Sequence, residues 1–313
     1  AVGSMVVPTM LEKGYSKSFT LACVACAGCI GVIIPPSIPM VIYGTSTGAS
    51  VSTMFMAGFL PGILIGLVLC VVCYFYCKKM GWRGSEERFT AKEKLMTVWE
   101  AKWALIDPII ILGGIYGGLF TPTEAAAVAA VYAFICGIFI YREITPKNLF
   151  ATIANACSTN GTTMVIIGCA TGFTRILTLE QIPILVSNTL MSLSDNRIVI
   201  LTLINILLLF VGCFMDTTPA MMVLSPILLP VALELGLTNI HFGIIMVVNL
   251  AIGFITPPLG INLFVAARVG NTSLEVVCKG IVRFILAMIF CLLLITFIPA
   301  ISEFLPRMTG MLK

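Results

Sequence analysis

Two proline pairs, Pro35-Pro36 and Pro257-Pro258, each interrupt a long apolar stretch of this 313-residue sequence. Proline has no backbone N–H, so a proline inside a helix leaves the carbonyl four residues earlier without its helical donor. An unpaired carbonyl in hydrocarbon costs several kcal/mol, so such a break persists only where another group binds the oxygen. A small, hard cation with oxygen ligands would do so. The carbonyls released are those of Gly31, Val32, Gly253 and Phe254.

Polar side chains stand close to both breaks in the sequence. Ser37 follows the first proline pair and Thr256 precedes the second, and hydroxyl oxygens are further ligands for a hard cation. Two asparagines, Asn249 and Asn262, bracket the second break and can orient a polar substrate. The pattern therefore predicts a cation site at each break. The alternative is that bound water or neighbouring helices satisfy the released carbonyls.

Asp216 is the acidic residue expected to lie deepest in the membrane, in the polar segment Asp216-Thr217-Thr218-Pro219. An ionisable group at that depth is by default a candidate for a functional role. A carboxylate at this position is equally compatible with a simple N-cap of the helix that follows. The sequence leaves both roles open.

The composition defines the broad class of the protein. Hydrophobic residues make up 59% of the chain and charged residues 10%, and the mean hydropathy is +1.09, which excludes an ordinary soluble domain. Apolar runs of about twenty residues, enough to cross a ~30 Å hydrocarbon core, recur along the length. The chain is therefore predicted to be an all-α polytopic membrane protein. The net charge of +4 is spread over the connections and indicates no nucleic-acid partner.

The segment around the first proline pair is repeated, because Gly31 through Pro36 returns 222 positions later as Gly253 through Pro258. An internal repeat in a very apolar chain, with a double proline at the same point of each copy, is typical of transporters. The alternative is that the prolines merely kink two unrelated helices. Further identities at this offset pair Pro8 with Pro230, Glu12 with Glu234, Gly14 with Gly236, and Gly48 with Gly270.

The alternation of apolar and polar segments predicts an order of elements. Broken spans are expected at 18–47 and 241–268, each preceded by a short hairpin: half of one at 1–14, and a complete one with arms at 198–214 and 220–236. The charged segments 78–102 and 143–157 predict amphipathic helices on the membrane surface, and Asp195-Asn196-Arg197 a polar connection. Unbroken spans are expected at 53–77, 103–120, 125–141, 160–178 and 281–301.

This threading gives the two copies opposite orientation, because five spans separate the hairpins. It also places fourteen of the eighteen lysines and arginines on one side of the membrane. The basic side is expected to face the cytoplasm. Those fourteen lie at 13–17, 78–102, 142–147 and 268–283.

Three motifs in order resemble the large membrane subunit of tripartite ATP-independent periplasmic (TRAP) transporters. They are residues 28–39, with Gly31 and the first proline pair; residues 117–127, which read Gly-Gly-Leu-Phe-Thr-Pro-Thr-Glu-Ala-Ala-Ala; and the stretch from Asp216 through Gly260. The resemblance covers essentially the whole chain. The chain opens inside an apolar element, so it is interpreted as the C-terminal part of a longer protein. The family's N-terminal spans and the serine-containing tip of its first hairpin then lie outside it.

The resemblance implies a secondary transporter of the bacterial inner membrane, driven by a sodium gradient and importing organic acids such as sialic acid or C4-dicarboxylates. It also implies two protein partners: a small membrane subunit, separate or fused, and a soluble periplasmic binding protein that delivers the substrate. Transport would follow an elevator motion in the lipid bilayer.

The resemblance also implies site residues. The first sodium site would use the break at Gly31–Ser37, and the second the break at Gly253–Pro258 with the tip Asp216–Pro219. Sodium ligands are thus expected among Gly31, Val32, Ser37, Asp216, Thr217, Gly253, Phe254 and Thr256. Substrate ligands are expected among Ser37, Pro36, Asn262 and Thr218.

The expected division is into a moving transport domain and a stationary scaffold. The transport domain would comprise 1–47 and 198–268. The scaffold would comprise 48–197, including the surface helices, and 269–313.

Two other functions remain open on the residues alone. A sodium/proton antiporter shares broken helices and would use Asp216 as the proton carrier. A membrane-embedded enzyme is disfavoured, since the sequence has no H-E-x-x-H or G-x-S-x-G motif and a single histidine, His241. We therefore expect a transporter and no catalytic residues.

Overall fold

The computed structural model describes residues 2–82, 90–194 and 196–312, and within these ranges the regular structure is helical. The helices in chain order are α1 Val2–Glu12, α2 Lys17–Ile33, α3 Ile38–Thr47, α4 Val51–Met80, α5 Ala91–Glu100, α6 Lys102–Tyr116, α7 Pro122–Ile135, α8 Pro146–Leu179, α9 Ile182–Leu193, α10 Arg197–Phe214, α11 Thr217–Glu234, α12 Asn239–Gly253, α13 Ile261–Val269, α14 Leu274–Phe297 and α15 Ala300–Met308. A π-helical turn, Cys136–Ile140, extends α7.

The predicted class, an all-α polytopic membrane protein, is confirmed. Seven helical segments of the described ranges are long and apolar enough to cross a membrane. Both predicted breaks are present, since α2 and α3 are separate helices around the first proline pair, and α12 and α13 around the second. The peptide bonds Pro35-Pro36 and Pro257-Pro258 are cis.

The internal repeat extends from the sequence to the helix boundaries. At the 222-residue offset, the start of α2 at Lys17 maps onto the start of α12 at Asn239, and the end of α1 maps onto the end of α11. Gly14 and Gly236 follow these two ends with φ of 82° and 76°, a backbone conformation that glycine adopts without steric cost. Both copies therefore contain the same series of helix, glycine turn, broken span and long helix.

One compact unit consists of the described residues of 1–84 and 170–313, and thus contains both copies. α12 lies at its centre, with every residue from Ile240 to Gly253 buried. Seven helices pack around it: α2, α3, α4, α10, α11, α14 and α15. Several polar groups in this core are hydrogen-bonded between helices, as where the Tyr43 hydroxyl donates to the Asn239 side chain at 2.7 Å.

A second compact unit consists of the described residues of 85–169. Its α6 and α7 pack together, and the Tyr132 hydroxyl of α7 donates to the Trp103 carbonyl of α6 at 2.8 Å. Thr121 and Glu124 form a capping box at the start of α7, which fixes where that helix begins.

The predicted surface helix over 78–102 is wrong in its extent. α4 continues to Met80, and Gly81, with φ 72°, ends it. The amphipathic helix is α5, which begins after Thr90 in a capping box with Glu93 and ends at Glu100. Four charged residues of the prediction lie outside the described residues: Arg83, Glu86, Glu87 and Arg88.

The predicted division between a surface helix at 143–157 and a span at 160–178 is also wrong, because α8 is one continuous helix. The polar residues in its middle do not interrupt it. The hydroxyls of Thr159 and Thr162 donate to the carbonyls four residues earlier at 2.9 and 3.0 Å, and no proline follows Pro146 within the helix to break the backbone ladder.

Three smaller differences concern helix ends. The span predicted at 103–120 ends at Tyr116, because Gly117 and Gly118 close α6, the latter with φ 68°. α9 lies between the predicted span at 160–178 and the predicted connection at 195–197, where no helix was expected, and Asp195 lies outside the described residues. The hairpin tip is shorter than predicted, since Thr217, Thr218 and Pro219 form the first turn of α11.

Replacing Gly253 by alanine is expected to separate α10 from α12. The new Cβ would overlap the carbonyl oxygen of Gly212, which is backbone and cannot move aside as a flexible side chain can. We expect the free energy of unfolding to fall by about 1–3 kcal/mol, measured as a lower thermal midpoint in detergent.

Gly66→Ala is the matched control, because its Cβ would meet only Ile30 Cδ1 at 4.0 Å and alanine favours the helix. Equal midpoints for the two variants would contradict the close packing of α10 on α12.

Candidate ion and substrate sites

At the first break, one of the two released carbonyls has a protein donor. The amide of Ile34 still donates to Ile30 at 2.8 Å, so α2 closes normally before the prolines. The buried Ser37 hydroxyl donates to the released Val32 carbonyl at 2.5 Å and also caps α3 by accepting from Met40 N at 3.5 Å. The Gly31 carbonyl accepts no hydrogen bond from the described residues.

At the second break, both released carbonyls have protein donors. The backbone amide of Thr256 donates to Gly253 O at 3.1 Å, and the backbone amide of Asn262 donates to Phe254 O at 3.0 Å. The Thr256 hydroxyl donates to Ile252 O at 2.8 Å. Neighbouring protein groups thus satisfy three of the four released carbonyls across both breaks. A carbonyl oxygen has two lone pairs, so each of these can still bind a cation.

The hairpin tip lies beside the second break. The Leu259 amide donates to Cys213 O at 3.3 Å, which joins the end of α10 to the loop after the prolines. Thr217 is buried in the first turn of α11 and Thr218 is half-buried. Asp216 occupies the N-cap position of α11 but is exposed, and its carboxylate accepts no capping hydrogen bond. The structure therefore brings the residues predicted for the second sodium site into one region.

Asn262 joins the two copies of the repeat. Its side-chain amide donates to Ala25 O at 3.1 Å and lies 3.5 Å from Cys29 Sγ, both on α2. It also lines an apolar cavity of about 520 Å³ between α1, α2 and α13. The other predicted substrate ligands, Ser37, Pro36 and Thr218, do not line this cavity.

Asn249 is fully buried in a polar network inside the core. Its side-chain amide donates to Asn205 Oδ1 at 2.8 Å, and Asn205 donates to the Thr296 hydroxyl at 3.1 Å. The Asn249 Oδ1 atom finds no partner among the described residues. The network links α10, α12 and α14 and gives Asn249 a structural position rather than one beside a substrate.

A second cavity, of about 500 Å³, has a more polar lining. It lies between α3, the C-terminal part of α8, and α11, and Arg175 contributes its positive charge. The Thr174 hydroxyl donates to Met222 O at 3.2 Å, which holds α8 against α11 at the cavity wall. The lining residues are Thr45, Ser46, Thr171, Thr174, Arg175, Thr178, Met222 and Pro226.

Sequence reasoning missed this cavity, although a signal was present. Arg175 is the one lysine or arginine in the apolar segment 148–179, and an arginine inside a span marks a transport pathway by default. The threading of the sequence places it instead among the four basic residues on the less basic side of the membrane. An arginine surrounded by hydroxyl groups is suited to bind a carboxylate or another oxyanion.

These features define a helical membrane protein with the architecture of a secondary transporter: an internal repeat, two broken spans and a polar cavity within one unit. Residues 1–301 match the family model of the Tripartite ATP-independent periplasmic transporter, DctM component. The chain belongs to this family.

Relatives that are similar to nearly the whole of this chain are named as transporter permeases, not as enzymes. The isethionate TRAP transporter permease protein DctMQ of Oleidesulfovibrio alaskensis is 48% identical over 97% of this chain and 48% of its own length. The C4-dicarboxylate large permease protein DctM of Pseudomonas aeruginosa is 41% identical over 99% and 73%. The sialic acid permease protein SiaT of Haemophilus influenzae is 36% identical over 98% and 50%. The chain thus spans about half the length of DctMQ and SiaT.

Ser37→Ala is expected to destabilise the protein more than Ser50→Ala, although both serines cap helices. Ser50 accepts from Thr53 N at 3.3 Å, and losing a cap costs about 0.5–2 kcal/mol. Ser37→Ala also leaves the Val32 carbonyl without its donor, which adds about 1–3 kcal/mol. The measurement is the thermal unfolding midpoint of both variants. If Ser50→Ala lowered it as much, the hydroxyl would not be what satisfies the first break.

Proposed function

We propose that this chain carries the core of a sodium-coupled transporter that imports an organic acid. The relatives are named for isethionate, C4-dicarboxylates and sialic acid, all of which are anions at neutral pH. Their common chemistry is a carboxylate or sulfonate on a small polar molecule. The substrate class of this chain is therefore an organic anion.

The observation that carries this proposal is the cavity that contains Arg175. Its volume of about 500 Å³ is within the usual range for small-molecule sites, roughly 300–1,000 Å³. The guanidinium provides planar donors for an oxyanion. The hydroxyls of Thr45 and Ser46 donate to the carbonyls of Ile42 and Tyr43, so their oxygens can accept hydrogen bonds from the hydroxyl groups of an acid that carries them.

The cavity also relates the substrate to the breaks. Its walls include α3, which begins directly after Ser37, and α11, which begins directly after Asp216. Ser37, Pro36 and Thr218 thus lie at the N-terminal ends of two wall helices and remain proposed substrate ligands. The two helices are held together by the hydroxyls of Ser46 and Ser225, 3.0 Å apart.

Sodium is proposed at both breaks. The Gly31 carbonyl, which accepts no hydrogen bond from the part of the chain that the structure describes, and the second lone pair of the Val32 carbonyl favour the first site, with Ser37 beside them. The second site combines the Gly253 and Phe254 carbonyls with a hydroxyl or carboxylate from three residues: Thr256, Thr217 and Asp216. Sodium bound on the same helices that form the cavity would couple its gradient to the substrate.

An elevator motion is the proposed way across the membrane, with the two copies moving as a block. The boundary of that block stays a prediction. Packing favours including α4 and α14, which the sequence assigns to the scaffold, because α14 packs along α2 and both helices contact α12. Sliding α2 and α12 past them would expose a well-packed core on each cycle.

The family implies the setting of this activity. A small membrane subunit and a periplasmic binding protein are the proposed partners, and the bacterial inner membrane the proposed location, with the lysine-rich side toward the cytoplasm. The remaining candidate function is a sodium/proton antiporter. It is favoured by the Asp216 carboxylate, which is exposed and makes no capping hydrogen bond to α11. Vesicles without organic acid separate the two, since only an antiporter exchanges sodium for protons there.

Arg175→Gln is expected to raise the substrate concentration for half-maximal uptake by about tenfold or more, because it removes a charge-assisted hydrogen bond to the acid. Uptake would be measured in vesicles with an inward sodium gradient, the small subunit and the loaded binding protein. Arg197→Gln at the start of α10 is the control with the same loss of charge, and Arg175→Lys should retain part of the activity. Normal uptake by Arg175→Gln would contradict the assignment of this cavity.

A further inference from the structure

The C-terminal end of α4 contains a cavity that the proposed transport cycle does not use. Its volume is about 340 Å³ and it is lined by Tyr74, Cys77, Lys78, Gly81 and Trp82. It lies at the end of a span with mean hydropathy 2.5, where a membrane helix passes from hydrocarbon to headgroups.

The helix end builds one wall of this cavity. Gly81 adopts a left-handed conformation with φ 72°, and the Trp82 amide donates back to Cys77 O at 3.0 Å, which turns the chain onto the helix. The Trp82 ring then packs against Phe19 and Tyr76, with centroids 5.4 and 5.7 Å away. These contacts fix the Trp82 ring at the end of the span, and aromatic rings are stable at the boundary between hydrocarbon and headgroups.

The charge around this cavity is positive. Lys78 and Lys79 occupy the last turn of α4, where they also offset the negative end of the helix dipole. Arg283 lies 4.1 Å from the centroid of the Tyr76 ring. Within the described ranges the ion pair found is Arg307 with Glu303, so neither lysine binds a carboxylate there.

An apolar stripe runs down α4 from the cavity. Leu67, Val71 and Tyr74 are 61%, 52% and 62% exposed, and their spacing continues to Lys78 on the same helix face. From Leu67 to Lys78 the helix rises about 16 Å, about half of a ~30 Å hydrocarbon core. This is the length of one acyl chain in one leaflet.

We propose that this end of α4 is a binding site for an anionic phospholipid. Lys78 and Lys79 bind the phosphate, Tyr74 and Trp82 flank the glycerol region, and one acyl chain follows the stripe over Val71 and Leu67. The phosphate of such a lipid would lie at the lysines and its acyl chain along the apolar stripe, and the length of the stripe matches that of one acyl chain. A soluble phosphate would occupy the lysines only and leave the stripe uncovered.

Tryptophan fluorescence tests the site directly, since the chain has three tryptophans. In a variant that carries both Trp99→Phe and Trp103→Phe, all tryptophan fluorescence comes from Trp82. The protein is reconstituted in vesicles of phosphatidylcholine brominated on its acyl chains, and unbrominated phosphatidylglycerol is added in steps. Preferential binding of phosphatidylglycerol displaces the quencher from Trp82. We expect a preference of about tenfold over phosphatidylcholine, reduced to near one in Lys78→Gln, Lys79→Gln and retained in Lys78→Arg.

Lys92→Gln, Lys94→Gln on α5 is the matched control and should keep the preference. Loss of the preference in this control as well would indicate general surface attraction and overturn the site. No preference in the starting protein would also overturn it. So would a Trp82 signal that changes only when the small membrane subunit is added, because the face would then bind protein.

Discussion

A backbone carbonyl in hydrocarbon must have a partner, and the two proline pairs remove that partner at four positions. The remaining architecture around the breaks supplies replacements. Ser37 turns its hydroxyl back onto Val32, and the amides of Thr256 and Asn262 reach Gly253 and Phe254. These bonds stabilise the interrupted helices, and each bonded carbonyl oxygen keeps a second lone pair for the sodium ions proposed at the breaks.

The two copies share this device but not their surroundings. At Gly253 the second break lies directly against Gly212 of α10, so no side chain fits between them. At the equivalent Gly31, an added Cβ would meet nothing within 4 Å. The copies therefore share their series of helices but differ in how closely the broken span is packed. The cavity that contains Arg175 has walls from both copies: α3, which follows the first break, and α11, which precedes the second broken span.

Features fixed by local chemistry could be predicted from the sequence. The positions of the prolines predicted both breaks, and the 222-residue offset predicted which helices of the two copies correspond. The extent of α8 could not be predicted from polarity, because threonine hydroxyls satisfied by carbonyls four residues earlier leave a polar run fully helical. The contacts of Asn262 with Ala25 and Cys29 could not be predicted either, since they depend on how α13 packs on α2. Arg175 and the threonines of its own helix could be found from the sequence, but Thr45 and Ser46 come from α3, and their place in the cavity required the fold.

The central claim is that the breaks bind the coupling ion, and the sodium dependence of uptake after closing each break tests it most directly. Alanine at Pro35 and Pro36, or at Pro257 and Pro258, restores the missing N–H groups and lets the helix withdraw its carbonyls. Pro61→Ala, inside the continuous helix α4, is the control. The account predicts that each double variant folds, binds organic acid and loses the response of uptake to a sodium gradient, while Pro61→Ala keeps it. An unchanged sodium response in both double variants would contradict the claim.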